Sequence, residues 1–323
     1  MATLRLTLAT RDYDFVTPIA TGDVTADGID LTLVRSFDAL HRVLADPDVH
    51  GGEASFSRYV QRLAAGDRSL VGLPLFLMRE FRHRNFYVRR DSRLTTIAEL
   101  AGRRVGMDAW PNSGNTWSRA LVREEGVPIA AVRWVVGRVH AQDAPPPSDA
   151  LPPGVELSTR PLRELLLGGE LDVLIWAWTP EGFYDPDGPF RRLLEDYRAA
   201  EQAHYLRTRL FPAHHLVVLK RDVVERHPGT VRAVYAAFEA ARARAAENRW
   251  KLHESSPWLL DDLEAQARVM GDGFEPYGVR TPDNRRMIAR FCEEQHAQAL
   301  IPRPLDPDSV FAEFEALVRS AAP

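Results

Sequence analysis

The sequence contains a single cysteine, Cys292, in 323 residues, so no intrachain disulfide can form and a disulfide scaffold is excluded. Cys292 falls in the helical pattern MIARFCEEQ, where a buried structural thiol is the plain reading. Positive charge is not in excess: 41 Lys and Arg face 45 Asp and Glu, a formal net charge of −4. That balance excludes the broad basic footprint of a nucleic-acid binder, although a local arginine cluster can still hold a small anion. No run approaches the roughly 18 apolar residues of a membrane span. Neither nucleic acid nor membrane is therefore an expected partner. The opening MATLRLTLATRDYDF lacks a basic leader, an apolar core and a cleavage site, which makes the cytoplasm the expected compartment. Internal repeats and low-complexity tracts are missing as well.

What is present is an ordinary globular composition, 45% hydrophobic and 27% charged, in a chain long enough to favour two lobes over one core. Short β-rich runs alternate with helical patterns, which predicts an α/β fold built on parallel sheets. Residues 4–9 and 29–34 alternate as strands, 70–78 is a continuous apolar run, and 85–89, 104–107, 132–136, 171–178 and 214–220 read as further strands. Helices are expected over 55–66, 116–125, 162–167 and 190–205, and again over 230–252, 261–270, 282–300 and 308–318. The Pro-rich stretch 142–154 reads as an exposed loop. Two α/β units followed by a helical tail predict a discontinuous lobe, 1–88 with 213–323, and a second lobe, 89–212. Two chain crossings make a hinge, and a hinged central cleft suits a buried ligand.

Several residues carry candidate chemistry. Arg79, Arg82 and His83 cluster at one strand end; guanidinium forks suit carboxylates and imidazole titrates near neutral pH. The same residues also read as ordinary surface charges satisfied by Glu80. Ser55 and Ser57 stand at a helix start, where free N–H groups favour an anion, and Ser55 serves equally as a plain N-cap. Asn112, Ser113 and Thr116 form a similar turn before another helix. His214 and His215 are adjacent on a strand and point to opposite faces, so only one can reach a ligand. Glu201 and Tyr205 lie one helical turn apart. Trp176 and Trp178 share a strand face; they and Trp110 offer either an aromatic wall or core packing. There is no HExxH, no His/Cys cluster at zinc spacing, and no calcium-loop pattern in the acidic 185–196 stretch, so no metal is expected. The glycines near 72 and 168 do not form a dinucleotide fingerprint.

Beyond these patterns, the segments Glu53-Ala-Ser-Phe-Ser, Pro74-Leu-Phe-Leu-Met-Arg-Glu-Phe-Arg-His and Leu100-Ala-Gly-Arg-Arg-Val-Gly occur in a familiar order. So do Trp117-Ser-Arg, Gly169-Glu-Leu-Asp, Glu201 to Tyr205, Phe211-Pro-Ala-His-His, Pro276-Tyr-Gly and Asn284-Arg. The chain resembles the 4,5-dihydroxyphthalate decarboxylase family, which is related to type II periplasmic binding proteins and to nitrate/taurine-type substrate-binding proteins. The resemblance implies a two-lobed periplasmic-binding-protein-like fold and a cofactor-independent decarboxylase acting on a hydroxylated aromatic carboxylic acid. It implies that Arg82 binds carboxylate and that His83 or His215 protonates the ring carbon. Ser55, Ser57, Arg79, the 112–116 turn, Trp110, Trp176, Glu201 and Tyr205 would then line the substrate. The expected partner is a small aromatic or other anionic carboxylate, and the reading admits a homo-oligomer. Where the family has Pro-Glu-Tyr after the Arg-Val-Gly strand, this chain has Asp108-Ala109-Trp110, an acid exchanged for an indole. Two alternatives follow: a non-catalytic cytosolic binder of small anions, and a different lyase or biosynthetic reaction on the same scaffold.

Overall fold

A computed structural model describes residues 3–146, 151–271 and 274–320. Residues 147–150 of the loop expected over 142–154 lie outside the described ones. The chain divides into two compact units: Met1–Arg79 with Thr208–Cys292 and Arg303–Pro323, and Glu80–Arg207 with Glu293–Pro302.

The first unit is built on a five-stranded sheet, ordered Ile29–Arg35, Leu4–Thr10, Gly51–Ser55, Ala213–Lys220, Leu70–Arg79. The first three strands are mutually parallel, and Ala213–Lys220 runs antiparallel to both of its neighbours. Leu70–Arg79 is buried along eight consecutive residues, as a continuous apolar run inserted between layers demands. The helix Phe56–Ala64 follows directly from a strand and turns Phe56, Tyr59, Val60 and Leu63 inward, the i, i+3, i+4, i+7 stripe of an amphipathic helix. Phe56 stacks on Phe291 at 4.5 Å between ring centres and lies near Phe76 and Phe311, which anchors the C-terminal helices to the sheet. Gly52 has φ +139°, and a Cβ there would stand 2.0 Å from the Ala9 carbonyl oxygen. Only glycine allows this close approach of two strands, and it sets the position of the next residue, Glu53.

The second unit carries a six-stranded sheet, ordered Phe190–Arg192, Phe86–Arg89, Val173–Ile175, Arg104–Met107, Arg133–Val136, Glu156–Leu157. Phe86–Arg89 runs antiparallel to both of its neighbours, and the remaining pairs are parallel. Because Phe86–Arg89 pairs here, the first crossing falls after Arg79, earlier than the expected 88, and residues 293–302 also belong to this unit.

Three differences from the sequence reading bear on the expected site residues. The helix expected over 190–205 is instead a strand, Phe190–Arg192, and a later helix, Tyr197–Thr208. Phe190 is buried beside Tyr87, and the Leu193 N–H donates to the Phe86 carbonyl, so sheet pairing overrides the helical pattern until Asp196 caps Ala199. The strand expected over 171–178 is only Val173–Ile175. Beyond it the Asn85 side-chain amide donates to the Trp176 and Ala177 carbonyls, replacing the ladder with a side chain. Trp176 and Trp178 therefore lie past the strand and do not share a strand face, and Trp178 is 49% exposed. Finally, the helix expected from 116 begins at Ser113, because the Asn112 carboxamide oxygen accepts the Asn115 N–H and caps it.

Candidate functional site

In the first unit, the carboxyl ends of the parallel strands carry a compact polar cluster, the edge at which open α/β sheets bind ligands. Arg11 follows the Leu4–Thr10 strand, and Ser55 ends the Gly51–Ser55 strand. His215 is paired across from Ser55 on one side and Met78 on the other. Glu53, two residues before Ser55, shares its strand face and meets His215 diagonally. The result is a contact of 2.5 Å between His215 Nδ1 and Glu53 Oε1. The same oxygen accepts the Tyr13 hydroxyl at 2.7 Å, while Oε2 accepts the Arg11 backbone N–H at 2.7 Å.

Glu53 is fully buried, and burial alone would raise its carboxyl. The hydrogen bond and charge of His215, with the Arg11 N–H and the Tyr13 hydroxyl, outweigh burial and hold it below the ordinary carboxylate range. Tyr13 is correspondingly pushed up, first by burial and then by the Glu53 charge, so it stays a hydroxyl donor. With Glu53 on Nδ1, the His215 side chain, 12% exposed, has Nε2 as the ring nitrogen left for a ligand. An imidazole oriented by a buried carboxylate is a proton-transfer device.

Other expected residues of this unit have structural partners. The Arg79 guanidinium donates to the Phe211 carbonyl, the Pro276 carbonyl and Asn284 Oδ1, and the Phe211 and Phe274 rings flank it. Ser55 accepts the Arg58 N–H as the N-cap, Ser57 is fully buried and accepts from Gln61, and His214 is buried.

The second unit gathers the remaining expected residues around a different set of contacts. Arg82 is buried, donates to Ser118 Oγ at 3.1 Å and Glu80 Oε2 at 3.1 Å, and packs against Gly114 in the first turn of the Ser113–Glu124 helix. A Cβ at Gly114 would come within 3.2 Å of the Arg82 guanidinium carbon. Asp108 accepts from the side-chain amides of Asn112 and Asn115, yet burial keeps its carboxyl raised. Thr116 donates to the Asn112 carbonyl, and Ser113 is buried in the first turn. His83 is buried beside His204, with ring centres 5.1 Å apart, and its Nδ1 meets no hydrogen-bond partner. Burial, then the neighbouring His204, pushes its pKa down to about 3. His204 lies 3.4 Å from Glu124, whose carboxyl stays at about 2 because His204 and Arg207 outweigh its burial.

Trp110, expected on the ligand side, is 2% exposed inside the second unit's apolar core, edge-on to Trp134. The buried Arg119 guanidinium lies 3.9 Å over its ring, and Arg119 donates to the Trp110 carbonyl. The Trp110 indole is thus a core group. Trp176 packs on His140. Glu201 pairs with Arg84, burial raising its carboxyl against that charge, and Tyr205 is fully buried against Phe81.

Glu53, Tyr13 and Arg11 were missed as functional candidates. The available signal was position: polar residues immediately at or beyond the carboxyl ends of parallel strands. Among the described residues no group of three or more His, Cys, Asp and Glu is placed to hold a metal, and no helix is long and apolar enough to cross a membrane. The Cys292 thiol is buried and pushed up to about 12 by that burial, which leaves it inert.

No protein-family model matches the chain. It is 32% identical over 325 aligned positions to 4,5-dihydroxyphthalate decarboxylase of Comamonas testosteroni, covering 96% of this chain and 97% of that one. The chain belongs to the 4,5-dihydroxyphthalate decarboxylase family. A second relative with the same name, from Pseudomonas putida, is 28% identical over 214 residues, 64% of this chain and 83% of its own. Among solved structures, the periplasmic aliphatic sulphonate-binding protein SsuA of Escherichia coli aligns with a TM-score of 0.52 at 15% identity, covering 95% of this chain and 97% of that one. At that identity the likeness shows the fold: this member of the family has the periplasmic-binding-protein-like α/β fold.

Proposed function

We propose that the chain is a cofactor-independent carboxy-lyase that removes one carboxylate from a hydroxylated aromatic acid such as 4,5-dihydroxyphthalate, the compound for which its named relatives are called decarboxylases. In such a substrate each hydroxyl stands para to one of the two carboxylates. It pushes electron density onto the ring carbon bearing that carboxylate, which then accepts a proton. The bond from that carbon to the carboxylate breaks, its electron pair restores the aromatic ring, and CO2 leaves. The net change is one proton taken up and one CO2 released. The protein must supply an acid aimed at carbon and a fixed substrate orientation.

The observation that carries this reading is the Glu53–His215 contact, which leaves Nε2 as the atom that delivers the proton. His83 is the weaker donor on the same grounds. It is buried, held neutral, and has no carboxylate on its Nδ1. The deciding experiment is CO2 release from 4,5-dihydroxyphthalate by chelator-treated protein, with ring-product detection alongside. Turnover that disappears in His215→Gln supports the assignment. Stoichiometric binding with no CO2 would favour a binding protein of small anions, the kind of activity named for the sulphonate-binding structures of this fold.

A further inference from the structure

We propose that Arg11 is the residue that grips the carboxylate remaining on the ring after CO2 has left. This rests on the decarboxylase reading and adds to it a binding role for an arginine outside the expected set.

Arginines near the expected site are mostly committed to protein acceptors. Arg79 donates to two carbonyls and a carboxamide, and Arg82 to Glu80 and Ser118. Arg11 differs. Its guanidinium makes one weak contact, 3.9 Å from Nη1 to the Met78 sulfur, and otherwise acts on the neighbouring Tyr13 hydroxyl, whose raised pKa it partly offsets. Its Nε is buried without a hydrogen-bond partner, standing 3.9 Å from Glu53 Oε1. A buried guanidinium nitrogen whose nearest carboxylate oxygen lies beyond hydrogen-bond distance gains from a ligand that supplies a closer one. The side chain is 21% exposed and lies over the Phe37 ring, so a planar acid can reach it.

Arg11 and the proton donor are also close. Arg11 Nε and His215 Nδ1 both lie within 3.9 Å of the same Glu53 oxygen. Glu53 is neutralised mainly by His215, the Tyr13 hydroxyl and the Arg11 backbone N–H, all at 2.7 Å or less, so it does not need the Arg11 side chain as a partner. Adjacent carboxylates on a benzene ring fit such a site: one held by Arg11, the other on the carbon facing His215. The held group must be the one that stays. A cation on the departing carboxylate would stabilise the ground state, because the negative charge leaves that group as CO2 forms.

Every variant except proline keeps the Arg11 backbone N–H on Glu53, so side-chain substitutions leave that support intact. The test measures binding of 3,4-dihydroxybenzoate, the chemical product with one carboxylate, and of catechol, which has none, to wild type, Arg11→Gln and Arg11→Lys. Loss of a charged, forked contact predicts roughly tenfold to a hundredfold weaker 3,4-dihydroxybenzoate binding in Arg11→Gln. Catechol affinity should be unchanged, and Arg11→Lys should fall between because it keeps the charge but loses the fork. Equal weakening of both ligands, or of neither, overturns the inference. A wild type that binds 3,4-dihydroxybenzoate through Arg11 but releases no CO2 would sink the decarboxylase reading and leave Arg11 as the carboxylate-binding residue of a binding protein. A wild type that binds neither ligand would overturn the Arg11 inference, while CO2 release alone decides the decarboxylase reading.

Discussion

His215 and Glu53 are separated by 162 positions in sequence and by 2.5 Å in the structure, Nδ1 to Oε1. The carboxylate fixes one face of the imidazole and leaves the other to act. His215→Gln keeps similar volume and some hydrogen-bonding capacity but cannot transfer a proton. We expect kcat for CO2 release to fall by roughly 10²- to 10⁴-fold, the usual contribution of a positioned acid. Affinity for 3,4-dihydroxybenzoate should change only a few-fold. Undiminished turnover would remove His215 from the reaction.

Glu53→Gln tests the other half of the pair. The amide fills the same space but carries no charge, so His215 loses the group that orients it and kcat should fall with little effect on ligand affinity. A second readout concerns folding. The folded Glu53 carboxyl lies below its ordinary value of 4.5, so the unfolded chain binds its proton more readily. Its contribution to stability is therefore full above pH 4.5 and is lost as pH falls through the folded value. The variant should lose less stability than wild type over that acid range, as measured by denaturant melts at pH 3–5. Parallel curves for the two proteins would contradict a low folded pKa.

His83 predicts a dependence at higher pH. Its folded pKa is about 3 against 6.5 unfolded, because burial and His204 disfavour the charged ring, with Arg207 and Arg84 adding to this and Glu124 opposing it. Between those values the unfolded chain binds a proton that the folded chain does not. Stability thus declines as pH drops from 6.5 toward 3, by about 2 kcal/mol between neutral pH and pH 5. His83→Asn should be less stable at pH 7.5 through altered packing, yet show a shallower decline down to pH 5. Thermal melts across that range check it; an unchanged slope in the variant would show that the folded His83 pKa is not lowered.

How much of this was legible in the sequence depends on the range of the interactions involved. The apolar run ending at Arg79 and the inward stripe of Phe56, Tyr59, Val60 and Leu63 are local patterns, and they read correctly. Phe190–Arg192 did not, because its strand character comes from pairing with Phe86–Arg89, about a hundred residues earlier. Trp110 read as a ligand neighbour because its motif departs from the family's, whereas its burial against Trp134 and Arg119 depends on how the Ser113–Glu124 helix packs. Arg11 carries no motif at all. Its importance emerges only after Glu53, Met78 and His215 are brought around it by strand register.

Arg79 is a case in which the same residue type in the expected motif serves the fold. It ends the Leu70–Arg79 strand and draws together the Phe211 carbonyl, just past the second chain crossing, and the Pro276–Asn284 segment. The Phe76, Phe211 and Phe274 rings around its guanidinium shield these bonds from water. Truncation to alanine would strand two carbonyls and a carboxamide oxygen together, whereas lysine can satisfy one of them but not the forked set. We therefore expect Arg79→Ala to cost on the order of 2–3 kcal/mol in urea melts and Arg79→Lys less. Binding of 3,4-dihydroxybenzoate by the folded fraction should match wild type in both. A variant that melts like wild type but binds the ligand tenfold more weakly would return Arg79 to the substrate site, since a guanidinium committed to the Phe211 and Pro276 carbonyls and the Asn284 carboxamide has no reason to affect affinity without affecting stability.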